Sequence, residues 1–195
     1  QTCALPISSG TPRTINSAGI TFDVPITFDG VGGTWRLVTN DLTMGTRALT
    51  NTNGTLDLNG RTLTIGSTGS YTTAAGTKNL TFNGGTLSVT ASGATAFNNA
   101  APTNFTTTAG TGTGKISMTS ASAKTFVGGG STYNCTLSND GAGALTITGS
   151  NTFTTVANGV QPTTFSFTAA TTTTLTNWNV SGTAGNLVTI QSATA

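Results

Sequence analysis

Residues 54–65, Gly-Thr-Leu-Asp-Leu-Asn-Gly-Arg-Thr-Leu-Thr-Ile, return 24 positions later as 78–89, Lys-Asn-Leu-Thr-Phe-Asn-Gly-Gly-Thr-Leu-Ser-Val. Each copy is two short alternating apolar runs around an Asn-Gly turn. Leu56 matches Leu80, Leu58 matches Phe82, Leu63 matches Leu87 and Ile65 matches Val89. Apolar residues at every second position define a strand with one buried face. A unit that recurs at 20–50 residues is one supersecondary piece stacked on copies of itself. The recurring corner is Asn59-Gly60 and Asn83-Gly84. These four are read as structural turn and ladder positions, with stacked Asn side chains bonding one another from rung to rung, as in cross-β stacks.

The rest of the chain fits all-β structure. Of 195 residues, 48 are Thr and 26 are Gly, Glu is absent, and 12 are charged. Thr is stiff at χ1 and suits a pleated surface. Runs of three to six residues continue after the repeat, as at Ile116–Met118, Leu145–Ile147, Phe165–Phe167, Leu175–Val180 and Leu187–Ile190. Leu145 to Phe165 is 20 residues and Phe165 to Leu187 is 22. The fold predicted is a single-stranded β-solenoid, a parallel β-helix, of about 8–9 coils with a period of 20 to 24. The alternative is a β-sandwich, because Asn-Gly between alternating runs is also the strongest short hairpin signal. Residues 1–14, with Pro6, Gly10 and Pro12, read as an N-terminal arm, and 15–195 as the solenoid domain. Residues 91–112 read either as a protruding loop or as a rung with small inward residues.

The composition offers little chemistry. Without His, Ser-His-Asp and Cys-His nucleophile systems are excluded within the chain. All five acids are Asp: Asp23, Asp29, Asp41, Asp57 and Asp140. Asp29 and Asp140 sit in Gly-rich turns, where Asp is expected for local hydrogen bonding. Asp57 lies between Leu56 and Leu58 and is replaced by Thr81 one coil on. It is read as an outward, solvent-facing rung position, and stacking is one way to bring Asp41 near it. No catalytic, cofactor or metal residues are assigned. The seven basic residues do not cluster, so no nucleic-acid surface is expected, and no apolar run is long enough to span a membrane. Cys3 and Cys135 are read as a free thiol near the terminus and a buried apolar residue.

Residues 145–153, 165–178 and 180–190, with 34–37 and 54–63 earlier, resemble Thr/Gly-rich virion structural proteins of tailed phages, especially those of aquatic bacteria. The resemblance covers residues 20–195 by pattern. It implies a β-helical tail fibre or appendage, often trimeric, located on the virion or otherwise extracellular. Its partners would be further copies of the chain, other virion proteins or a host-surface glycan. It also implies that the chain is a fragment or domain of a longer protein, and it carries over no catalytic residues. Two other functions remain open from the residues: a secreted filament or adhesin subunit that polymerises by strand addition through residues 1–14, and a tailspike-type polysaccharide depolymerase, which needs two carboxylates within reach of one another.

Overall fold

The computed structural model describes residues 3–4 and 11–193. Among them there are 20 strands and no helix, arranged as a 12-stranded and an 8-stranded sheet. Every strand pairing is parallel, which rules out the sandwich built from hairpins. The chain is a β-solenoid of about eight turns with three faces. Ile26–Leu37 and Leu49–Asp57 bend round a corner, so the 12-stranded sheet wraps two faces. Residues 49–51 pair with Tyr71–Thr73, whereas 54–57 pair with Lys78–Thr81. The third face holds Leu42–Met44, Thr62–Ile65, Thr86–Val89 and Lys115–Met118 in succession.

The hairpin that the alternative sandwich required is therefore absent at residues 54–65. Leu56 and Leu63 lie on different faces of one coil, and each pairs with its counterpart in the next coil: Leu56 with Leu80, Leu63 with Leu87. Stacking of like on like produces columns of apolar side chains. One runs Leu42, Leu63, Leu87, Ile116, Leu137 and Val156, all buried. Another stacks aromatic rings: Tyr71 on Phe97 at 5.2 Å and Phe97 on Phe126 at 4.3 Å, both near parallel. Parallel strands demand this, because their hydrogen bonds hold each side chain directly over its equivalent.

The coil length varies more than the expected 20 to 24. Offsets run from 19, Leu137 to Val156, to 29, Leu87 to Ile116. The long coil contains residues 91–112, which form a rung: Gly93–Asn98 and Phe105–Thr108 are strands with Phe97 and Phe105 turned inward. At the other end, Phe165 pairs with Ile190 rather than Leu187. Parts of the expected arm lie in the ladder as well. Cys3–Ala4 pairs with Ile26 and Thr27, and Arg13–Ile15 pairs with 35–37, which counts against strand donation by residues 1–14. The side chain of Cys3 lies outside the described residues. Cys135 is free and buried, and burial pushes its thiol well above the usual range.

Because Phe97 links two stacked rings and is fully buried, Phe97→Ala should destabilise the protein by about 3–5 kcal/mol. Chemical denaturation would register this as a lower midpoint. A loss below about 1 kcal/mol would contradict a continuous aromatic column.

Candidate functional site

The chemistry-bearing side chains gather at the corners. Asn59 and Gly60 have φ of 50° and 75°, and Asn83 and Gly84 have 47° and 80°. Asn and Gly are the residues that enter the left-handed region most readily, so both copies turn at the same place, one above the other. The Asn side chains do not bond each other. Asn59 Nδ2 donates to Leu37 O of the coil below at 3.0 Å, and Asn83 Nδ2 donates to Asp57 Oδ1 at 2.8 Å. In place of the expected Asn-to-Asn ladder, each of the two side chains reaches an acceptor in the preceding coil.

Asp57 is the centre of that corner. Its phase is outward, as the alternation of Leu56 and Leu58 requires, yet it is 2 % exposed. Oδ2 accepts from Arg36 Nε at 2.7 Å, while Oδ1 accepts from Asn59 N–H at 2.9 Å and from Asn83. Arg36, Asp57 and Asn83 belong to three successive coils, so neighbours above and below cover the carboxylate. Reading Asp57 as solvent-facing was wrong because phase fixes a direction, not what stacks across it.

The other four acids do the same work. Asp23 Oδ1 accepts from the N–H and hydroxyl of Thr46, both at 2.7 Å. Asp29 Oδ1 accepts from Asn53 Nδ2 at 2.7 Å, and Asp41 Oδ1 from Thr62 N–H at 2.8 Å. Asp140 accepts from the Ser117 hydroxyl, from Ser138 Oγ at 2.6 Å and from Lys115 Nζ at 2.7 Å. Every carboxylate thus takes at least one donor from an adjacent coil. Asp29 and Asp140 serve that purpose rather than purely local turns. Asp41 and Asp57 have separate donors, and no bridge joins them. Hydrogen bonds from Thr46 hold the Asp23 carboxyl below its ordinary range. Burial alone would raise Asp140, but donors from Lys115, Ser117 and Ser138 and the Lys115 charge bring it below that range.

Two lysines are inside the solenoid, which composition does not reveal. Lys78 and Lys124 are each 1 % exposed. Lys78 Nζ donates to Gly76 O and Thr103 O at 2.9 and 3.0 Å. Lys124 Nζ donates to Ser120 O, Gly141 O and Gly143 O at 2.8, 3.3 and 2.8 Å. Burial pushes the Lys124 ammonium down to about 8, against the opposing charge of Asp140. The available signal is phase: Lys78 alternates with Leu80 and Phe82, and Lys124 with Phe126. Asn51, Asn99 and Asn139 are also interior. Asn99 Nδ2 reaches Gly128 O, Ser131 Oγ and Tyr133 Oη. The Oδ1 atoms of Asn51 and Asn139 have no partner among the described residues.

The surface is interrupted between Phe105–Thr108 and Thr132–Asn139. There Asn134 N–H donates to Thr107 Oγ1 at 2.7 Å and Asn134 Nδ2 to Thr107 O at 2.8 Å, so side chains stand in for ladder bonds. A cleft of about 370 Å³ opens beside this gap, lined by Pro102, Phe105, Thr107, Ser131, Thr132 and Asn134. A smaller one of about 100 Å³ shares Asn134. Neither is lined by a carboxylate. No protein-family model, curated protein or solved structure matches the chain.

Asp57→Ala leaves Asn83 Nδ2 and Asn59 N–H without their acceptor, and should cost about 2 kcal/mol. The Arg36 side chain is 41 % exposed and returns to water, so the larger loss of a fully buried pair is not expected. Denaturant unfolding checks this, and an unchanged midpoint would contradict the arrangement. The folded carboxyls of Asp23 and Asp140 titrate below their unfolded values. The stability they contribute is therefore complete above about pH 4 and is lost as pH falls through the lowered folded values. Thermal melts should hold steady down to about pH 4 and decline below it, and Asp140→Asn should flatten that decline. Equal acid slopes in the variant and the parent would contradict the assignment of Asp140.

Proposed function

We propose that the chain is a non-enzymatic structural component of an extracellular fibre or appendage, of the kind carried by tailed phage particles, acting in particle assembly or adhesion to a host surface. One observation carries the reading. All five carboxylates accept hydrogen bonds from a neighbouring coil, so the acids are built into the wall of the solenoid. A depolymerase needs two carboxyl groups about 5–9.5 Å apart facing a substrate groove, and the two clefts described are uncharged. The low charge and outward Thr fit a wall made to persist. Fold alone does not assign function, and the resemblance of residues 34–37, 54–63 and 145–190 supplies the virion setting.

An antibody against the chain tests this directly. Gold labelling of the extracellular particulate fraction from its source should decorate fibres or appendages on particles. Label confined to soluble protein without particles would overturn the reading.

A further inference from the structure

We infer that Lys124 and Asn139 become joined in the folded protein by an amide bond between Lys124 Nζ and Asn139 Cγ, formed with loss of ammonia. Lys124 opens the strand Lys124–Val127 and Asn139 ends the strand Thr132–Asn139. Both stand inside the solenoid, at 1 % and 0 % exposure, and each has an apolar partner in a neighbouring coil. Lys124 pairs with Leu145, and Asn139 with Met118. Core packing alone explains neither polar side chain. The two converge on one atom: Lys124 Nζ donates to Gly143 O at 2.8 Å, and Asn139 Nδ2 donates to the same oxygen at 3.1 Å. Amine and amide thus flank a single acceptor. The flexible lysine stem can bring Nζ to about 3–3.5 Å from Cγ, the separation from which attack proceeds.

The surroundings favour the step. Lys124 makes no ion pair among the described residues, and Asp140, the opposing charge near it, is held by Lys115 Nζ at 2.7 Å. A buried ammonium without a paired charge is costly. Burial pushes Lys124 down to about 8, so part of the population carries the free amine that acts as a nucleophile. On Asn139, Oδ1 has no partner among the described residues. Nζ attacks Cγ, the Nζ–Cγ bond forms and the Cγ–Nδ2 bond breaks. The proton shed by Nζ goes to Nδ2, which departs as ammonia. Oxidation states do not change and no co-reactant is consumed. The buried Thr163 hydroxyl, 2.9 Å from Nδ2, is placed to relay that proton. The product exchanges a buried charge for a neutral amide whose one N–H stays on Gly143 O. Lys78 is buried as deeply, but it donates to Gly76 O and Thr103 O with no Asn side chain on either oxygen. It is expected to stay free.

The bond would clasp a strand of the 12-stranded sheet to one of the 8-stranded sheet, and the inference does not rest on the fibre reading. Tryptic digestion of the full chain, denatured after folding and read by mass spectrometry, tests it. No Lys or Arg occurs between Lys124 and Ala195, and trypsin does not cut after an acylated lysine. The parent, as purified and after incubation at neutral pH, should yield residues 116–195 as one peptide, lighter than its sequence by one ammonia. Fragmentation should place the branch at Lys124 and Asn139. Lys124→Arg, whose guanidinium is no nucleophile at neutral pH, should be cut after position 124 and keep the ammonia. Asn139→Met, which repeats the residue one coil before, should be cut after Lys124. Complete cleavage after Lys124 in the incubated parent, with both peptides at their sequence masses, would overturn the inference. An uncut, ammonia-depleted peptide in Asn139→Met would overturn it too, because the bond would then lie elsewhere. The parent digest decides the matter even where a variant fails to fold.

Discussion

A strand in this chain finds its backbone partners only in the coil before and the coil after it. Within one coil, consecutive strands lie on different faces and share no ladder. An isolated coil would leave its N–H and C=O groups unpaired and its inward side chains wet. Each coil is therefore stable only as part of a stack, and every other feature follows from keeping neighbours in register. Identical side-chain positions recur on each face, like residues stack on like, and variation in coil length is pushed into the corners.

The corners are where register is most easily lost, and they hold the polar inventory. A corner backbone cannot complete a ladder, so its donors need other acceptors. Asp23, Asp29, Asp41 and Asp57 accept from the coil that follows, and Asp140 accepts from the coil that precedes. Lys124 inverts the arrangement, with one ammonium facing three corner carbonyls. A chain with 12 charged residues thus places nine of them, the five acids with Arg36, Lys78, Lys115 and Lys124, in bonds across joints between coils. Many outward positions of the flat faces are held by Thr, whose hydroxyl meets solvent and whose branched Cβ suits the pleat.

The repeat was legible because residues 54–65 and 78–89 turn at the same Asn-Gly pair and keep the same phase. It led to parallel stacking even though a single copy looks like a hairpin. The next coil was harder to see. Its 29-residue offset spreads Phe97 and Phe105 among small residues, and the inward role of each rests on a column that only the stacked structure supplies. Phase also held information that composition hides: Lys78 is in step with Leu80 and Phe82, which places it inside. Asp57 shows the limit of phase. Its direction followed from Leu56 and Leu58, but its burial depends on Arg36 and Asn83, residues 21 and 26 positions away. No local pattern encodes that cover.

The most direct measurement of carboxylate bridging between coils is a double-mutant cycle on Asp57 and Asn83, using alanine at each position and chemical denaturation for stability. Residues joined by a hydrogen bond in one network couple by about 0.5–3 kcal/mol, whereas unconnected sites add to within about 0.5 kcal/mol. A coupling energy inside the first range is the expected result for two side chains that hold adjacent coils together. Strict additivity would contradict it, and with it the role assigned to the acids.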